Sequence, residues 1–177
     1  MRLLLSTAAV SLILSSPVQA NEKDWDNAGS ISRDVLVVAA FGLPIVKGDW
    51  DGALQAGGSM GAAMVTTVAL KEAFPTWRPD RSDRKSFPSG HTSLSFAAAS
   101  TLHNRYGWEV GVPAYALASF VGVSRVEAKK HRWGDVLAGA AIGITAGQLI
   151  TKKRDDGVVL IPWGDTKSAG VSMAMKF

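Results

Sequence analysis

The sequence predicts an all-α protein, a helical bundle followed by a short C-terminal β-hairpin. Three observations point there. Five apolar runs rich in Ala and Gly (residues 35–46, 52–70, 92–102, 111–124 and 136–150) show no period of two. Glycines recur every fourth residue at Gly57 and Gly61, and again at Gly139, Gly143 and Gly147, which on a helix gives a smooth stripe for a neighbouring backbone. Residues 158–163 and 171–177 read as two short strands around a Gly-Asp-Thr-Lys-Ser-Ala-Gly turn.

In chain order, residues 1–20 read as a secretory signal: a charged start at Arg2, an apolar stretch to Leu14, and Val18-Gln19-Ala20 before Asn21. An uncleaved first membrane helix is the competing reading. The apolar stretch is short for about 30 Å of hydrocarbon, and the small-residue ending favours cleavage. Residues 21–34 are polar and read as a lead-in, 35–155 as the helical domain, and 156–177 as a hairpin-like tail. Gly52 opens a 19-residue uncharged stretch that ends at Lys71.

There is no cysteine, so an exported chain of this kind is held by its own core or by a bilayer. The formal charge of +4 gives no argument for nucleic acid. Its distribution says more: of 19 Lys and Arg, five fall in residues 71–85 and four in 124–135. Such clustering suggests an anionic ligand held between the two segments. No zinc, P-loop or dinucleotide pattern accompanies them, and no metal or cofactor is expected.

Three segments carry the chemistry. In Lys71-Glu72-Ala73-Phe74-Pro75-Thr76-Trp77-Arg78-Pro79, a long helix ends on a cation and Arg78 follows on the loop. Alone, this is a helix end complementing its dipole. In Phe87-Pro88-Ser89-Gly90-His91-Thr92, Ser89 caps a helix start, where N–H groups, a hydroxyl and an imidazole suit a phosphate. In residues 124–135, His131 and Asp135 are four apart, so on a helical turn the carboxylate can reach one ring nitrogen and leave the other free to attack. A surface ion pair is the bland alternative for that pair taken alone.

Taken together, Lys71-x6-Arg78-Pro79, Pro88-Ser89-Gly90-His91 and Ser124-Arg125-x5-His131-x3-Asp135 resemble the phosphatidic acid phosphatase type 2 and vanadium haloperoxidase superfamily, over roughly residues 35–150. The resemblance implies that Lys71, Arg78 and Arg125 hold the phosphoryl oxygens, with Ser89 and the Gly90 N–H adding hydrogen bonds. It implies that His131 is the nucleophile, Asp135 its partner, and His91 the acid and later the base. It further implies a phosphoric ester hydrolase that forms a phosphohistidine without a metal.

The expected substrate is a phosphorylated lipid of the bacterial cell envelope, or another phosphate mono- or diphosphate ester, with membrane association and the site facing the periplasm. Two alternatives stand beside it: a soluble periplasmic acid phosphatase and a vanadium-dependent haloperoxidase. Several apolar runs are short for a span and mean hydropathy is only +0.13, which keeps the soluble reading open. The cluster Lys152-Lys153-Arg154 after an apolar run fits an inner, cytoplasmic end.

Overall fold

A computed structural model describes residues 20–154, 158–164 and 169–175. Among them five helices run in sequence: α1 Glu22–Val46, α2 Trp50–Ala73, α3 Gly90–Tyr106, α4 Trp108–Glu127 and α5 Trp133–Ile150. The expected signal segment, residues 1–19, lies outside the described residues. After α5, β1 Val158–Gly164 pairs antiparallel with β2 Ala169–Met175, with Val158 opposite Met175 and Gly164 opposite Ala169.

The sequence reading of residues 21–34 as a polar lead-in is corrected by α1, which already begins at Glu22. Asn21 accepts from the N–H groups of Lys23 and Asp24 at 2.9 and 3.0 Å, and Asp24 returns a bond to the Asn21 N–H at 3.1 Å. This reciprocal cap satisfies donors that a frayed start would leave open. The polarity that suggested a loose segment belongs to a helix whose inner face meets charged partners, described below.

Three connections are short, and across the longer 74–89 loop Thr67 meets Ser93 while Ser59 meets Thr101, so successive helices run antiparallel. The N-termini of α1, α3 and α5 therefore share one end with the C-termini of α2 and α4. That end carries all three motifs. The opposite end is locked by Asp49, which caps α2 and pairs with Arg105 while accepting from Tyr106 Oη at 2.7 Å. Arg105 also donates to the Lys152 carbonyl at 3.0 Å, which ties α5's end to α3.

The interior is built from small residues. Ala40, Ala56, Ala63, Ala97, Ala98, Ala99 and Ala118 have no exposed surface. Between them run hydroxyl bridges, Thr67 to Ser93 at 2.8 Å and Ser59 to Thr101 at 2.6 Å. The α5 glycine stripe meets α3 directly: a Cβ on Gly139 would lie 2.6 Å from the Ser89 carbonyl oxygen, and one on Gly143 would collide with that of Ser93. Here the glycines are required, because only a bare Cα lets the two backbones approach so closely. The α2 stripe is different. A Cβ on Gly61 would meet nothing, and one on Gly57 would reach only Phe41 at 3.6 Å.

The large apolar side chains point outward instead. Val38, Leu54, Val65, Leu137 and Leu149 are 66–80 % exposed. Exposed tryptophans mark both ends, Trp50 and Trp108 at one, Trp77 and Trp133 at the other. Small residues and hydroxyls inside, aliphatics outside and aromatics at the rims are the pattern of helices solvated by lipid. By length and composition α1, α2 and α5 can each cross a membrane.

Candidate active site

Each motif arrives at the same end of the bundle by a local rule. α2 ends at Ala73 ahead of Pro75, and Lys71 in its last turn folds back over the loop. Its Nζ donates to the carbonyls of Lys85 and Pro88 at 2.6 and 2.5 Å, which fastens the loop between α2 and α3. Arg78 is oriented by Asp83, whose Oδ1 accepts from Nε at 2.8 Å. That leaves Arg78 Nη1 3.5 Å from Nε2 of His131.

Ser89 caps α3 and is fully buried. Its Oγ accepts from Thr92 Oγ1 at 2.9 Å and, at 3.4 Å, from the Thr92 N–H. Both bonds use Ser89 as acceptor, so its own proton is left to donate. The Ser89 N–H donates to the Asp135 carbonyl at 3.0 Å, fixing α3 against α5. Gly90 opens the helix, and a Cβ there would point toward Lys71, 4.0 Å from its Cε. A bare Cα keeps that niche open beside the first N–H groups of α3.

Arg125 is 1 % exposed in the last turn of α4. One nitrogen, Nη2, pairs with Asp26 of α1. Its Nε is buried and has no hydrogen-bond partner among the described residues. A buried donor left open is costly unless a ligand fills it.

His131 lies in the turn between α4 and α5, and Asp135 in the first turn of α5. The helical-turn geometry expected from their spacing is therefore not what joins them. Nδ1 of His131 stands 3.7 Å from Oδ2 of Asp135, an ion-pair distance beyond hydrogen bonding, and has no hydrogen-bond partner among the described residues. The carboxylate is held instead by Ser86 Oγ at 2.5 Å and the Arg132 N–H at 2.9 Å. On the other side of the ring, Nε2 faces Arg78.

Both histidines are buried among cations. Burial first, then Arg78 and Lys71, push His131 down to about 4, against the opposing pull of Asp135. Burial, then Arg125 and Arg33, push His91 down to about 3. Near neutral pH the site therefore sets two neutral imidazoles among Lys71, Arg78 and Arg125. It is a positive basin shaped for an anion.

The structure thus brings Lys71, Arg78, Ser89, Gly90, His91, Arg125, His131 and Asp135 to one end of the bundle. It adds residues that the sequence reading passed over. Ser86 and Asp83 orient Asp135 and Arg78. Asp26, Ser30 and Arg33 come from the segment read as a lead-in. Their spacing of four and three, with a Gly at 29 that lets α1 touch Ser124, was the available signal.

Known proteins align with this arrangement. Over 120 residues the chain is 38 % identical to "Lipid A 1-phosphatase" of Porphyromonas gingivalis, covering 64 % of this chain and 26 % of that one. Over 133 residues it is 29 % identical to "Lipid A 4'-phosphatase" of Helicobacter pylori, covering 74 % and 59 %. The chain thus spans about a quarter and about three-fifths of these two relatives. Its fold is similar to the crystal structure of Aquifex aeolicus LpxE, with a TM-score of 0.63 at 20 % identity over 72 % of this chain and 83 % of that one. A transmembrane PAP2-type phosphatidylglycerolphosphate phosphatase from Bacillus subtilis gives 0.58 at 24 % identity, over 73 % and 74 %. The model of one family covers residues 52–157, which include all three motifs, and on this match the chain belongs to the PAP2 superfamily.

Proposed function

We propose that the protein is a membrane-bound lipid phosphate phosphatase of the cell envelope that works through a phosphohistidine on His131. The observation that carries this reading is the open donor set around that histidine. Among the described residues Arg125 Nε is buried without a partner and the Ser89 proton is uncommitted, and Arg78 Nη1 stands 3.5 Å from His131 Nε2. Phosphoryl transfer is mainly positioning plus stabilisation of charge on the equatorial oxygens. Three cations and a helix start supply both, in the place where other phosphatases use a metal.

The phosphoryl group sits among Lys71, Arg78, Arg125, Ser89 and the Gly90 N–H. Nε2 of His131 attacks phosphorus, because Nδ1 faces Asp135. His91 takes up a proton as the anionic ester enters; as the P–N bond forms, the bond to the leaving oxygen breaks and His91 delivers that proton to it. The phosphoimidazolium carries its positive charge toward the Asp135 carboxylate. Neutral His91 then takes a proton from water, the hydroxide attacks phosphorus, and the electron pair of the P–N bond returns to His131. The alcohol and inorganic phosphate are released.

The apolar outer surface and the tryptophans at both rims favour a lipid ester over a soluble one. The names of the two relatives put lipid A phosphates first among candidates, with phosphatidate and phosphatidylglycerophosphate next. A site open to the periplasm agrees with Lys152, Lys153 and Arg154 beyond the opposite end of α5.

The test is phosphate release from a panel of lipid and soluble esters, with membrane and soluble fractions assayed separately. Release from lipid esters in the membrane fraction is expected. Activity confined to soluble esters in the soluble fraction would contradict the lipid reading.

A further inference from the structure

Three α1 side chains remain outside the mechanism above: Asp26, Ser30 and Arg33, on one helical face. Two of them converge on a single atom. Ser30 Oγ lies 3.2 Å and Arg33 Nη1 2.8 Å from Nε2 of His91. A guanidinium has no acceptor, so Arg33 donates and Nε2 receives with its lone pair. That nitrogen is also the one aimed away from the ring's own helix, toward α1.

An imidazole nitrogen has one in-plane direction for a hydrogen bond. If His91 is to hand a proton to the leaving oxygen from Nε2, that oxygen must come to where Arg33 Nη1 and Ser30 Oγ now meet. Arg33 cannot retreat far, because its Nε and Nη2 both donate to Asp34 Oδ1, at 2.9 and 2.7 Å. Asp34 is 63 % exposed, so this tether is weak enough to let Nη1 shift by a fraction of its length.

We infer that Arg33 is a catalytic residue, the second hydrogen-bond donor to the leaving oxygen of the scissile ester. The inference rests on the phosphatase reading of the same site. When the ester enters, Nε2 of His91 takes a proton from solvent or from the monoanionic ester, and Nη1 of Arg33 moves from Nε2 onto the leaving oxygen. As Nε2 of His131 bonds to phosphorus, the P–O bond breaks and its electron pair stays on that oxygen. The oxygen receives the His91 proton while accepting the Arg33 N–H. Ser30 Oγ is the adjacent wall, against which the first carbons of the alcohol pack.

The consequence is a dependence on the leaving group. An alkoxide is a poor leaving group and needs both donors; a nitrophenolate departs with little help. The test uses kcat/KM, which reports transfer to His131, for dioctanoyl phosphatidate and for p-nitrophenyl phosphate. Arg33→Gln should lose about tenfold to a hundredfold on the alkyl ester, the range for one preorganised donor, and stay within about threefold on the aryl ester. Arg33→Lys, which keeps a donor, should recover part of the loss.

Placed on His91→Gln, Arg33→Gln should still lower phosphate release from the alkyl ester several-fold. Equal losses on the two esters would overturn the inference, since they would show a general disturbance of the site. So would the absence of further loss in the His91→Gln protein, since Arg33 would then act only through the imidazole. Wild-type protein that releases phosphate from neither ester contradicts the phosphatase reading itself, and the inference falls with it.

Discussion

Asp26 near the start of α1 pairs with Arg125 at the end of α4, 99 residues away, while the Nε of the same guanidinium has no partner among the described residues. The carboxylate takes Nη2 and leaves the neighbouring Nε–H of the same guanidinium edge unused. It is also an anion itself, set beside the proposed phosphate site. On that reading Asp26 steadies Arg125 and competes with the ligand for one cation.

Asp26→Asn should therefore have two opposite effects. It leaves Arg125 buried with less compensation, so thermal stability without ligand should fall. It also removes a competing charge, so inorganic phosphate should bind about threefold to tenfold more tightly. Thermal melts with and without phosphate check both. A variant with unchanged phosphate affinity would show that the carboxylate does not compete.

Buried neutral histidines tie stability to pH. With His131 down to about 4 and His91 to about 3, against 6.5 for the free residue, the unfolded chain binds more protons than the folded one between those values. Stability should be full above pH 6.5 and fall steadily as pH drops through 6 and 5 toward 4. His91→Gln and His131→Gln should each flatten the melting temperature against pH over that range. Phosphate binding near pH 6 should take up protons, visible as a buffer-dependent heat, because the anion offsets the cations that hold the imidazoles neutral.

Ser86 fixes Asp135 through its short bond, and Asp135 in turn faces the imidazole that must become positive. Ser86→Ala should lower kcat by about tenfold, the order expected for one bond to a charged group, and leave KM nearly unchanged. Asp135→Asn should lose considerably more. If Ser86→Ala raised KM and spared kcat, the serine would belong to binding.

Gly139 couples packing to the site. A Cβ there would press on the Ser89 carbonyl 2.6 Å away, and Ser89 caps the helix that presents the proposed phosphate site. Gly139→Ala should cost about 1–3 kcal/mol of stability and reduce activity as well. Gly61→Ala, where a Cβ meets nothing, should leave both nearly as they are.

Much of this was legible in the sequence, and for identifiable reasons. Lys71, Ser89, His91 and Arg125 lie at helix ends and Arg78 and His131 on the loops beside them, where proline, serine and charge punctuate apolar runs. The α5 glycines announced a close approach whose partner proved to be α3. What stayed hidden depends on tertiary contact. Residues 21–34 look like a solvated segment because Asp26, Ser30 and Arg33 are polar for the sake of Arg125 and His91, far along the chain. Hydropathy favoured neither lipid nor water, since the small, hydroxyl-rich interior dilutes the average while the aliphatics face outward. The four-residue spacing of His131 and Asp135 suggested a helical turn, whereas a helix start separates them and Ser86 takes the closer bond.

The central claim is covalent chemistry at His131, and trapping the intermediate tests it most directly. Protein mixed with a phosphate ester labelled at phosphorus and quenched in base within the first turnover should carry label that is stable to base and lost in acid. Peptide mapping should place it on His131, with none in His131→Ala. Label on another residue, or sustained turnover by His131→Ala, would contradict the account.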